Sequence, residues 1–270
     1  MTISIFQLNK SRVIGKALAL CGLSLAISST LFAQRGFEFG IRYMVTKSSL
    51  YNNSDKNAGP ELDYANTVSY LSGGFAGSFK FDRHLAVEMD ILYSRQGQSY
   101  SGNDMLASNY TAYSSQVGLQ AILNDKVAAG EYQAKAELNC IKIPFLFKVT
   151  TDNAKRAYAS LSVGPQINII KSAVYEVNHE DVLLPGINIE PNDVYRKVTM
   201  DGVVALGGGL NLTRHFSLTA QARFDYGFQD VEKKDQTFML MGTSEKYYDQ
   251  NRAATHNGTA ALMVGVNYKL

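Results

Sequence analysis

The 270-residue chain is poor in the residues that interrupt or staple a fold: five prolines, two cysteines and no tryptophan. Few prolines leave long backbone stretches free to join hydrogen-bonded ladders. Cys21 lies in a segment read below as removed, so Cys140 stands alone and no intramolecular disulfide can form, even in an oxidising compartment. No apolar run reaches the roughly 18 to 20 residues of a spanning helix. A surplus of positive charge is also missing, with 26 bases against 24 acids, which removes the electrostatic argument for nucleic acid as a partner. What the chain does have is 16 Tyr and 13 Phe, a composition that leans towards strands.

The amino-terminal segment carries Lys10, Arg12 and Lys16 and then the uncharged stretch ALALCGLSLAISSTLFAQ. A basic start, an apolar centre over 17–27 and small residues at its end have the pattern of a secretory signal peptide. Cleavage is expected between Ala33 and Gln34, leaving a single domain over 34–270. A transmembrane anchor is the rival, but Ser28, Ser29 and Thr30 dilute a run already too short to span. A lipidated Cys21 is a second rival, and it has Leu20 where a small residue is wanted. Without the three amino-terminal bases, the mature chain holds 23 bases against 24 acids.

Apolar residues alternate with polar or small ones, the period of a strand. Phe37, Phe39, Ile41 and Tyr43 stand against Glu38, Gly40 and Arg42. Leu71, Phe75, Phe79 and Phe81 stand against Ser72, Gly74, Ala76, Ser78 and Lys80. The same rhythm runs through 85–96, 216–226 and 261–270. Weaker versions cover CIKIPFLFKV, AYASLSVGPQINII and MDGVVALGGGLNL, which brings the count to eight strands.

Three connections are short, near 82–84, 150–156 and 213–215, and four are long and polar, 48–67, 97–136, 171–197 and 229–256. Strict alternation of short and long links over an even number of strands fits an all-β, eight-stranded antiparallel transmembrane β-barrel, with short periplasmic turns and long extracellular loops. A phrase written twice fits the same scheme: FDRHLA from Phe81 and LTRHFS from Leu212 occupy two of the short turns. Asp or Thr opens each turn, and Arg-His is expected to hold polar tips in water at the membrane edge. Four strands around the ring would separate His84 from His215, too far to share a metal ion.

The polar parity carries five acids, Glu38, Glu88, Asp90, Asp201 and Asp225, and five bases, Arg42, Lys80, Lys142, Lys148 and Arg223. Eight strands enclose an interior that side chains can fill. Charges buried there persist only when paired, so these ten are candidates for an ion-paired plug, with the planar fork of Arg223 a central partner. At the carboxyl end, Gly265, Tyr268 and Leu270 are spaced like the terminal-strand signal read by barrel-assembly machinery. The other expected partners are outer-membrane lipid and an envelope protein met through the extracellular loops. Tyr-rich loop segments such as SNYTAYSS and EKYYDQN suit either such a contact or strand extensions above the membrane.

No catalytic, metal or cofactor site is expected. Of the four histidines, His84 and His215 fall in turns and His179 in a long loop, and His256 beside Asp249 lacks a Ser in any recognisable arrangement. LGGGLN over 206–211 lacks the Lys-Ser/Thr and helix of a phosphate loop and reads as strand glycines in a narrow lumen.

The segments GGFAGSFKFDRHLAVEMDILYSRQG, IKIPFLFKV, LSVGPQINII, DGVVALGGGLNL and ARFDYGF, with the closing VGVNYKL, resemble the PorT-type outer-membrane β-barrel family of Bacteroidota. The resemblance covers 34–270, and Ile143-Pro144, Gly164-Pro165 and Asp201-Gly202 are its more specific marks. It implies that both proline segments remain strands, each with a bulge or strand end to accommodate the ring. Its named member takes part in type IX secretion and gliding. Two function classes follow: a structural or partner-binding barrel, accessory to protein secretion, or a small transport or sensing pore.

Overall fold

The computed structural model describes residues 36–53, 62–102, 132–179, 183–189, 195–233, 238–239, 246–247 and 253–270. The proposed signal segment 1–33 lies outside them, as do SNYTAYSS, Asp249 and most of EKYYDQN.

The described residues form eleven strands: β1 (Phe37–Asn52), β2 (Leu62–Lys80), β3 (Leu85–Gly102), β4 (Tyr132–Thr150), β5 (Ala157–His179), β6 (Leu183–Ile189), β7 (Val198–Asn211), β8 (Phe216–Gly227), β9 (Phe238–Met239), β10 (Lys246–Tyr247) and β11 (Thr255–Lys269). Eight of them close a ring in the order β1-β2-β3-β4-β5-β7-β8-β11, every neighbour antiparallel and β11 back on β1. β6 is an addition to the far end of β5, and β9 pairs only with β10. Closure leaves the barrel without an open edge, so each of the eight ring strands has a hydrogen-bonded neighbour on both sides.

Alternation decides which side chains face out. Phe75 is 71% exposed and Leu206 65%, whereas Lys142 is 1% exposed and Arg223 3%. An apolar wall this extensive would be costly in water and requires lipid. In a closed barrel the opposite parity can only point into the lumen.

Register shifts interrupt several of the described pairings, and two of them are single-residue bulges that reset the alternation. Tyr70 and Leu71 together oppose the single Val45, so both face out, as the register passes from Met44↔Ser72 to Thr46↔Ser69. Lys171 is extra between Cys140↔Ile170 and Asn139↔Ser172. Pro144 and Pro165 use no bulge. Pro144 keeps its register with Gln166 while the β3 ladder lapses beside it, and Pro165 keeps its register with Gly202 while the β4 ladder lapses. Each ring thus forfeits pairing on one side only, with neither a register shift nor a strand end. At the second lapse β4 and β5 approach so closely that a Cβ on Gly164 would lie 2.0 Å from the Phe145 carbonyl oxygen.

The strands also run further than their apolar rhythm: β1 reaches Asn52, β3 Gly102 and β5 His179. Beyond the lipid belt an outward side chain no longer needs to be apolar, yet backbone pairing continues. Much of the loop length read from the sequence is therefore ladder.

The repeated phrase is one turn built twice. Asp82 Oδ1 accepts from the amides of His84 (2.6 Å) and Leu85 (2.8 Å), and Thr213 Oγ1 accepts from those of His215 (3.2 Å) and Phe216 (3.0 Å). The histidines do not merely face water. His84 Nδ1 donates to the Thr150 carbonyl and His215 Nδ1 to the Lys269 carbonyl, both at 3.1 Å, clasping the next strand.

Candidate functional site in the barrel lumen

The inward residues form three charged groups along the axis. At the turn end, Glu38 (β1) meets Lys80 (β2) at 2.5 Å and Lys269 (β11) at 3.9 Å, and Ser78 donates to it at 3.4 Å. Deeper, Glu88 (β3) accepts from Lys148 (β4) at 2.8 Å and faces Arg42 (β1) at 3.7 Å, while Arg42 also donates to Asn267 (β11).

The third group crosses the lumen. Lys142 on β4 reaches Asp225 on β8 at 2.9 Å, although β5 and β7 separate those strands in the ring. Arg223 Nε donates to the other oxygen of Asp225 at 2.7 Å, and its Nη2 donates to Gln166 Oε1. The Gln166 amide donates in turn to Asn168 at 2.7 Å and to Asp201 at 3.1 Å. Arg223 therefore serves one carboxylate directly and a second through an amide. Charge-assisted bonds of this kind stabilise most where water is excluded.

Asp90 stands apart from these groups. It is 0% exposed, and neither carboxylate oxygen has a hydrogen-bond partner among the described residues. Arg42 Nε and Arg223 Nη1 are also unpartnered. Nine of the ten candidates thus enter a pair or a bridged network, and Asp90 does not.

Charge alone did not reveal the rest of the filling. Met44, Leu92 and Met263 form an apolar cluster within the lumen. Towards the loop end, Asn257 donates to Gln96 at 3.0 Å and Gln96 to Cys140 Sγ at 3.1 Å. The Tyr158 ring lies over Gly209, where a Cβ would come within 2.3 Å of it, so LGGGLN clears space for an aromatic ring. All of these sit on the inward parity, and that was their only signal in the sequence.

Three histidines are engaged by backbone, His256 donating to the Gly227 carbonyl at 3.0 Å as well as the two in the turns. Asn211 is likewise held at the turn end, donating to the carbonyls of Asn153 (2.9 Å) and Lys155 (2.6 Å).

A closed antiparallel ring with a bare apolar wall and a charged, tightly filled interior is an integral outer-membrane β-barrel protein. The chain belongs to the outer membrane protein beta-barrel domain family, whose model matches residues 28–233. Among solved structures it is similar to Neisserial surface protein A, at 11% identity over 87% of this chain and 97% of that one, with a TM-score of 0.42. OprG from Pseudomonas aeruginosa matches at 9% over 87% and 96%, TM-score 0.42. The attachment invasion locus protein Ail of Yersinia pestis, solved with the heparin analogue sucrose octasulfate, matches at 8% over 88% and 99%, TM-score 0.38. No curated protein matches the chain.

Proposed function

We propose that this barrel is closed to solute flow and works through its surfaces, as a structural or partner-binding component of the outer membrane. The observation that supports this most is the group joining β4 to β8, in which Lys142 at 1%, Asp225 at 2% and Arg223 at 3% exposure are sealed from water. A conducting pore would keep its lining charges wet. The resemblance to PorT-type barrels supports a role accessory to protein secretion, with an envelope protein engaged by the extracellular loops. Export would use cleavage before Gln34, and insertion would use the barrel-assembly machinery reading Gly265, Tyr268 and Leu270.

The test is conductance. Purified protein reconstituted in a planar bilayer is expected to show little steady current, and a large, stable ohmic conductance overturns the closed reading. Crosslinking in the native membrane then identifies the partner. One observation favours a small transport or sensing pore instead: Asp90, Arg42 Nε and Arg223 Nη1 are buried and unpartnered, so other pairings are open to them. That reading gains if Asp225→Asn alone produces steady current.

A further inference from the structure

Charge on the outer wall is unevenly placed. Just above the apolar band, β3, β4, β5 and the residues entering β7 present Arg95, Lys135, Lys171, Arg196 and Lys197. Among the described outward side chains of that stretch the single acid is Glu137, which takes Lys135 at 3.1 Å and Arg95 at 3.5 Å. Lys171, Arg196 and Lys197 are exposed and have no side-chain partner among the described residues.

Backbone geometry gathers these three. Lys171 is the unpaired residue of the β5 bulge, so it and Ser172 both face out. The amide of Ile170 donates to the Lys197 carbonyl at 2.9 Å, which sets Lys171 beside the strand entering from Arg196. Immediately below lie two aliphatic rows in register, Ile141↔Ile169↔Val198 and Ile143↔Ile167↔Met200. Elsewhere around the ring the same height is aromatic, with Tyr43 and Tyr70 exposed on β1 and β2 and Tyr226 and Phe228 exposed at the β8 border of the strip.

We propose that this strip of β4, β5 and β7 docks a phosphate-bearing lipid of the outer leaflet, its acyl chain on the aliphatic rows and its phosphate among Lys171, Arg196 and Lys197. Three bases able to converge on one anion, directly above a smooth apolar track, answer both halves of such a molecule. Ordinary snorkelling explains a solitary base at a membrane edge, and Lys47 on β1 is one. It does not explain three together above one aliphatic track.

The full-length protein is folded into phosphatidylcholine nanodiscs containing either phosphorylated lipid A or its dephosphorylated form, and lipid retained after detergent release is counted by native mass spectrometry. The wild type is expected to retain the phosphorylated form at least about tenfold better, and K171Q/R196Q/K197Q to lose that preference while K47Q keeps it. Equal retention of both lipids by the wild type overturns the proposal, whether or not the triple variant folds. So does undiminished retention by a triple variant that still migrates as a folded band. Displacement of the lipid by added inorganic phosphate would show a free-anion site and would equally overturn it.

Discussion

Two aspartates on the same parity separate what pairing does from what burial does. Asp225 holds Lys142 and Arg223 at once, so Asp225→Asn strands two buried cations. Breaking a buried pair from one side costs about 3 to 5 kcal/mol, and the variant should lose its compact, unboiled gel band at a lower temperature than the wild type. Arg223→Ala should act in the same direction. Asp90 has no partner to abandon, so Asp90→Asn should leave that temperature unchanged or raise it. A comparable drop for Asp90→Asn and Asp225→Asn would show that the pairs are not what stabilises the lumen. The sequence assigned both residues to the lumen but could not separate their roles, because that depends on which strands face one another across the axis.

Among the elements, β11 has the most exposed duty, because its register with both β1 and β8 closes the ring. Tyr268 pairs with Phe39 and Phe216 and stacks on His215, with ring centroids 5.8 Å apart. The Lys269 amide donates to the His215 carbonyl at 2.7 Å and the Leu270 amide to the Phe37 carbonyl at 3.0 Å. Deleting residues 268–270 removes these together and leaves the ends of β1 and β8 unpaired on the side facing β11. The truncated chain should still be processed before Gln34 but accumulate in the periplasm, as cell fractionation would reveal. Recovery of normal amounts in the outer membrane would show that these residues carry neither closure nor targeting. At the same scale, the twice-written turn was legible as a turn from Asp82 and Thr213, but the clasp made by each histidine was not. Its acceptor belongs to another strand, Thr150 in one case and Lys269 in the other.

For the whole molecule, a ring without edges should resist dodecyl sulfate at room temperature, so unboiled protein should run with a different mobility from boiled protein and give a β-type circular dichroism spectrum. Identical migration with a helical spectrum would remove the barrel. The sequence by itself determined the strand period, the alternation of short and long links and the face on which each side chain lies, because a period of two and the turn residues are local properties. It could not place the bulges at Tyr70-Leu71 and Lys171, nor the end of each ladder beyond the lipid, since an unpaired residue is defined only by its neighbour's register. Nor could it match Lys142 with Asp225. Those residues are far apart in the chain and on strands that never pair, and only closure of the ring brings them within 2.9 Å. The basic strip was likewise invisible as a run of sequence, because Lys171 and Arg196 come together only when β5 and the strand entering β7 lie side by side.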